Sequence, residues 1–245
     1  MPQLAPSRDA EDSPGSAASS QPLDIHREER RFLIGSGDAQ RQALKDRGIP
    51  FLREYHVQTL YMEPGNVRTW SVGKSQIKFR LRQYDETGPW WFEIKSNTAG
   101  MVDKHRRQIT PQQIDKLGLR PMVMVRYFRE EFETGTDVLD EYRQGKEDIL
   151  VQWLRVTIDT GVTAFQIPRE LPPSEAFLDI GRSLATLKNR VLEVKSGQDY
   201  VPPWLPRPAE WPGSKSRFAI AALYGHSNMW APAYTPRTPP IEHVA

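Results

Sequence analysis

The 245-residue chain contains no cysteine, which excludes disulfides and thiolate metal centres and fits a reducing cytosol. No apolar run approaches the ~18 residues that a spanning helix needs, so no membrane segment is expected. Met1 to Gln21 is rich in Pro, Ser and Ala and has no apolar h-region, so a secretory signal is not supported and a cytoplasmic location is expected. An excess of one charge is missing as well: 33 Lys and Arg stand against 31 Asp and Glu, a formal +2. Loose nucleic-acid binding driven by bulk basicity is therefore disfavoured. The five His show no metal-ligand spacing, and no Ser or Thr has an evident His partner. Walker A, Rossmann glycine, G-x-S-x-G and H-E-x-x-H patterns are all absent.

What is present is a chain long enough to bury a core. Residues 1–22 read as a disordered tail by composition, residues 23–225 as one folded domain, and residues 226–245 as a Pro-rich tail on which Trp230 and Tyr234 could dock. Strands are predicted at Ile25–Ile34, Glu54–Met62, Ile77–Tyr84, Trp90–Ser96, Met101–Ile109, Met122–Glu133, Leu150–Asp159 and Arg190–Lys195, with Val67–Val72 as a further hairpin arm. Thr160-Gly161 reads as a turn. Helices are predicted at Asp38–Arg47 with Asp38 as N-cap, at Pro111–Leu117 with Pro at its first turn, and at Lys215–Tyr224. Many short strands with few helices predict an α+β domain built on a closed antiparallel β-barrel.

Six segments alternate charged with apolar residues: Arg27-x-Glu29-x-Arg31, Lys78-x-Arg80-x-Arg82, Glu93-x-Lys95, Tyr127-x-Arg129, Arg155-x-Thr157-x-Asp159 and Glu193-x-Lys195. Residues two apart lie on one face of a strand, and the residues between them include Phe79, Leu81, Phe92, Ile94, Val156, Leu192 and Val194. One such strand says only that one side is core and the other water. Six together, dominated by Arg and Lys, predict strands wrapped round a cation-lined cavity for a polyanion. Arg31, Lys78, Arg80, Arg82, Lys95, Arg129, Arg155 and Lys195 would repel one another unless counter-charges or a bound anion compensated them. Glu29, Glu93, Asp159 and Glu193 supply part of that compensation. Guanidinium forks and compact ammonium groups together suit a chain of phosphates, and carboxylates among them suit Mg²⁺ or Mn²⁺ shared with phosphate oxygens. Lys104-His105-Arg106-Arg107 fits a surface charge run as well as a site, and the Trp residues read as packing.

These residues resemble a known family, the VTC domain, which is the polyphosphate polymerase domain of vacuolar transporter chaperones and their free-standing bacterial relatives. Arg27 to Ile34 (REERRFLI) resembles its R-x-E-x-K-Y/F-L-I strand, Thr59 to Glu63 its S-x-Y-F-D, and Lys78 to Tyr84 (KFRLRQY) its K-x-R-x-R-x-Y. Glu93-Ile94-Lys95 with Lys104 and Arg106 is similar to its E-x-K and K-x-R pair. Val125 to Arg129 resembles V-x-Y-x-R, Leu154 to Asp159 L-R-x-T-x-D, Val191 to Lys195 V-L-E-x-K, and Ser216-Arg217-Phe218 S-K-Y/F. The likeness runs in order from Arg27 to Tyr224. Arg31 and Arg217 stand where Lys is usual, Met62-Glu63 replaces Phe-Asp, and the stretch from there to Lys78 is shorter than in many members.

The resemblance implies a triphosphate-tunnel (CYTH-like) fold and transfer of the γ-phosphate of ATP to inorganic polyphosphate with Mg²⁺ or Mn²⁺. It implies catalytic roles for Arg80, Arg82, Lys95, Arg129 and Arg155. Arg31, Lys78, Lys104, Lys195 and Arg217 would join them in holding phosphate, with Glu193 and secondarily Glu29 on the metal. A tri- or polyphosphate hydrolase on the same barrel and a non-catalytic polyphosphate or nucleotide binder remain alternatives. No SPX domain or membrane segment is expected beside the tunnel, and the sequence names no protein partner.

Overall fold

The computed structural model describes residues 27–64, 75–98, 101–134, 153–178, 180–197 and 201–225. The two tails and the Val67–Val72 arm lie outside the described residues. Nine strands form one antiparallel sheet: β1 (Arg27–Ile34), β2 (Phe51–Pro64), β3 (Ser75–Tyr84), β4 (Trp90–Thr98), β5 (Met101–Ile109), β6 (Leu119–Glu133), β7 (Leu154–Gln166), β8 (Ser183–Thr186) and β9 (Arg190–Gly197). Their order is β1-β9-β7-β6-β2-β3-β4-β5, with β8 paired to β7. Among the described residues three helices accompany them: α1 (Asp38–Asp46), α2 (Pro111–Asp115) and α3 (Lys215–Leu223).

Alternation decides what each face does. The outward residues of β1, β7 and β9 (Phe32, Ile34, Val156, Ile158, Leu192 and Val194) pack with Leu44 of α1 and with Leu205. Those of β2, β3 and β6 (Leu60, Met62, Leu81 and Met124) pack with Ile114 of α2, Ala176 and Phe177. Apolar cover on the outside forces the polar members of the same strands inward. There Val57, Val123, Val125, Val162, Ala164 and Val191 receive Phe218 and Ala219 of α3, so this helix fills part of the concave side.

The fold is the expected α+β domain, a curled antiparallel sheet with a few helices, with corrections. Among the described residues no hydrogen bonds join β1 to β5, the two ends of the strand order, so the sheet curls without closing. Thr160-Gly161 is not a chain-reversing turn. Gly161 takes φ 64°, and β7 continues to Gln166 past a register shift in its pairing with β6. A positive φ at a single glycine bends a strand without ending it. The N-cap of α1 is Gly37 in the left-handed region, not Asp38, which instead pairs with Arg41 at 3.0 Å inside the first turn. Strand β8 was not predicted.

Candidate functional site: a cation-lined cavity

The concave face encloses a cavity of about 470 Å³, within the ~300–1,000 Å³ typical of small-ligand sites. Its wall draws on seven strands, with Tyr61 from β2, and on one helix. Strand β3 contributes Lys78, Arg80 and Arg82, β4 Lys95, β5 Lys104, and β6 Tyr127 and Arg129. Across the cavity stand Glu29 and Arg31 of β1 with Glu193 and Lys195 of β9. Register explains the grouping: Lys78 faces Lys95, which faces Lys104, while Arg31 faces Glu193 and Glu29 faces Lys195. Like charges set side by side on neighbouring strands are normally destabilising, so the arrangement is not one that folding alone favours.

Two fully buried carboxylates behind the wall fix its guanidinium groups. Glu93 contacts Arg80 closely and lies 3.1 Å from Lys104 Nζ and 3.4 Å from Arg106 Nε. Burial pushes its carboxyl up, but Arg82, Arg80 and Lys104 together outweigh that and bring it to about 2. Asp159 takes both forks of Arg129, Nε at 2.6 Å and Nη2 at 2.8 Å, and closely contacts Lys215. It too is lowered against its burial, by Arg129 and Lys215. Arg82 donates to Thr59 Oγ1 at 3.2 Å.

The cations still outnumber their partners. Among the described residues, ten Lys and Arg line the cavity beside two carboxylates, Glu29 and Glu193. Burial, then the neighbouring Lys95, Arg217, Arg80 and Arg31, push the Lys78 ammonium down to about 8. Lys95 is lowered by burial and by Arg80 and Arg31, and Lys104 is lowered chiefly by burial. A bound polyanion would relieve all three.

Of the sequence-predicted residues, Arg31, Lys78, Arg80, Arg82, Lys95, Lys104, Arg129, Lys195, Arg217, Glu193 and Glu29 share this cavity. Arg155 does not line it. It faces Lys195 in the β7–β9 register, yet its guanidinium is held 2.6 Å from Glu133 and 3.3 Å from Glu131. Arg106 stands behind the wall, 4.0 Å over the Trp91 ring.

Sequence reasoning missed Lys215, Tyr61, Ser214 and Ser216 as wall residues. Lys215 carried a signal. Ser214 caps α3, accepting from the Arg217 N–H at 3.3 Å, so Lys215 and Arg217 fall in the first turn, which holds no acidic residue. Cations oppose the helix dipole there, and such a breach of a local rule marks function. The same helix start directs backbone N–H groups toward any anion in the cavity.

No group of three or more His, Cys, Asp or Glu able to hold a metal occurs among the described residues. Glu29 and Glu193, facing one space, fit Mg²⁺ or Mn²⁺ in the manner of sites that take one or two carboxylates and complete themselves with substrate phosphates. Among the described residues, no helix is long and apolar enough to cross a membrane.

No protein-family model matches the chain, and no curated protein does. Solved structures do resemble it in outline. The PH1819 protein of Pyrococcus horikoshii is 11% identical over 81% of this chain and 99% of its own, with TM-score 0.47. A candidate adenylate cyclase of Vibrio parahaemolyticus is 11% identical over 82% of this chain and 86% of its own, TM-score 0.41. HpAC1 of Hippeastrum, a candidate adenylyl cyclase described as revealing a dominant triphosphatase activity, is 15% identical over 69% of this chain and 79% of its own, TM-score 0.41. At these identities and scores the likenesses assign neither a family nor an activity to this chain.

Proposed function

We propose that the cavity binds a run of phosphates and that the protein transfers the γ-phosphoryl group of ATP to the end of an inorganic polyphosphate chain. One observation carries this reading: ten Lys and Arg, drawn from separate strands and a helix start, converge on one cavity with two carboxylates. Arg31, Arg80 and Arg82 would grip phosphate oxygens by their forks, while Lys78, Lys95 and Lys104 would add charge along the chain. Arg129, locked by Asp159, would supply a fixed guanidinium at no cost in ordering. Lys215 and the first turn of α3 would cap the anion from one side.

A terminal phosphate oxygen of the acceptor attacks the γ-phosphorus in line, the β–γ bridging P–O bond breaks, and ADP leaves with the bridging oxygen. This chemistry needs positioning and charge neutralisation more than covalent help, and the residues above supply both. A divalent ion on Glu193 and Glu29 would neutralise further charge on the phosphates.

The test is to incubate the purified full chain with ATP and Mn²⁺ and to separate products by gel. A polyphosphate ladder with ADP is the expected result. Free orthophosphate without a ladder would replace the polymerase by a hydrolase, and intact ATP despite tight tripolyphosphate binding would leave a binder.

A further inference from the structure

The two carboxylates assigned to a metal are already occupied by cations of the chain. Glu29 and Glu193 form a ring with Arg31 and Lys195, and Lys215 Nζ stands beside it, 3.7 Å from Glu193 Oε2. Arg31 closely contacts Glu29 Oε1, and its Nε lies 3.5 Å from Glu193 Oε2. Lys195 Nζ lies 3.0 Å from Glu193 Oε1 and 3.6 Å from Glu29 Oε2. Each carboxylate thus gives one oxygen to each cation. The register that sets Glu29 opposite Lys195 and Arg31 opposite Glu193 builds this checkerboard.

A divalent ion that takes both carboxylates has to enter this ring, where a neighbouring ammonium would repel it. Lys195 is the member suited to leave. It makes single-point contacts through a flexible stem, whereas Arg31 holds the same pair through a planar fork. Lys195 also lines the cavity and is near enough to Lys95 to help lower its pKa, so a short swing would bring its ammonium among the phosphates.

We propose that Lys195 is an exchangeable internal counter-ion: it neutralises Glu29 and Glu193 in the metal-free protein and passes to a phosphate oxygen when a divalent ion displaces it. This rests on the reading of the cavity as a phosphate and metal site. It makes the two ligands mutually dependent. Metal releases a cation for phosphate, and phosphate withdraws the cation that blocks the metal. By linkage each tightens the other by the same factor.

The experiment titrates the full-length protein and its Lys195→Met variant with Mn²⁺, following free Mn²⁺ by electron paramagnetic resonance, with and without saturating tripolyphosphate. Lys195→Gln serves as a second variant, and circular dichroism checks folding. The tripolyphosphate series is corrected for Mn²⁺ that it binds in solution. Tripolyphosphate should tighten Mn²⁺ on the intact protein by about tenfold, within the usual range of coupling between sites. Both variants should bind Mn²⁺ more tightly than the intact protein when phosphate is absent, and their coupling should fall below that of the intact protein, leaving only what direct contact between Mn²⁺ and phosphate oxygens supplies. Unchanged Mn²⁺ affinity and unchanged coupling in the variants would overturn the role of Lys195 while leaving the phosphate site standing. Failure of the intact protein to bind tripolyphosphate at all would overturn the site itself, and the inference with it.

Discussion

The concave face holds two clusters made of the same residue types, and they differ in balance. Along β6 the inward row reads Tyr127, Arg129, Glu131, Glu133. Up to Arg129 it belongs to the cavity wall; beyond it, the row belongs to a cluster in which each charge finds a partner. Glu131 accepts from Arg53 Nε and from the Tyr55 hydroxyl, both at 3.0 Å, and Glu133 accepts from Arg155 Nε and Trp153 Nε1, both at 2.8 Å. Two guanidinium groups meet two buried carboxylates, and indole and phenol hydrogens satisfy remaining acceptor sites. Burial raises the Glu131 carboxyl, but the bond from Arg53 and the charge of Arg155 bring it down. In the cavity, among the described residues, ten cations share two wall carboxylates and the buried Glu93 and Asp159. Residue type does not distinguish a site from a structural network; the surplus of one sign does.

The sharpest way to break the comparison is at the carboxylates of the cavity. Glu193→Gln should lower metal-dependent turnover by about three orders of magnitude, the several kcal/mol that a bound metal supplies to phosphoryl transfer. Tripolyphosphate binding, followed by calorimetry, should persist. Full turnover in that variant would remove Glu193 from the metal. Next in size is Arg129→Met, which leaves fully buried Asp159 with Lys215 alone. Breaking a buried pair costs about 3–5 kcal/mol, and the cation that remains places the expected loss at about 3 kcal/mol in urea unfolding. Arg129 would then differ from the rest of the wall in serving the fold as well as the ligand.

How much of this was legible from the residues can be argued strand by strand. Lys78, Arg80 and Arg82 reach one cavity because a strand has a period of two and Phe79 and Leu81 are taken by the core outside. That is local information. Arg155 shows the limit: its face was readable, but the carboxylates that claim it sit on β6, and only the register Glu133↔Arg155 brings them together. Closure depends on how far β1 and β5 are carried round by twist and tilt, a sum over the whole sheet that no segment encodes. Gly161 was read as a turn because positive φ favours chain reversal locally, whereas pairing on both sides keeps β7 extended. Lys215 was hidden because a helix predicted over Lys215–Tyr224 says nothing of what its first turn faces, and the chemistry lies in that turn.

A direct test sets one residue of each cluster against the other. Arg80→Ala should weaken tripolyphosphate binding by about 1.5–3 kcal/mol, the worth of a hydrogen bond to a charged group. Arg155→Ala, whose guanidinium is spent on Glu131 and Glu133, should change the same affinity by less than about 0.5 kcal/mol, as expected for a group that makes no contact with the ligand. Calorimetry with tripolyphosphate reads both. Equal losses would erase the distinction between surplus and paired charge and would extend the binding surface to Glu133.

The smallest expected effect concerns pH and follows from the surplus. Lys78 is lowered to about 8 in the ligand-free fold, against 10.5 in an exposed lysine. Its folded value lies below its unfolded one, so the folded state binds fewer protons between these limits. Holding that charge therefore weighs against the fold below about pH 8, and the penalty fades as pH rises toward 10.5. Ligand affinity runs the other way. A polyanion favours the charged ammonium, so tripolyphosphate should bind best below about pH 8 and weaken above it, by at most about tenfold per pH unit for one proton. The arginine of Lys78→Arg stays charged throughout this range. The fall in affinity above pH 8 should be shallower in Lys78→Arg than in the intact protein, while ionisation of the ligand affects both equally. Superimposable pH profiles would mean that the Lys78 ammonium is already neutralised within the fold, and the surplus would have to be sought at Lys95 and Lys104.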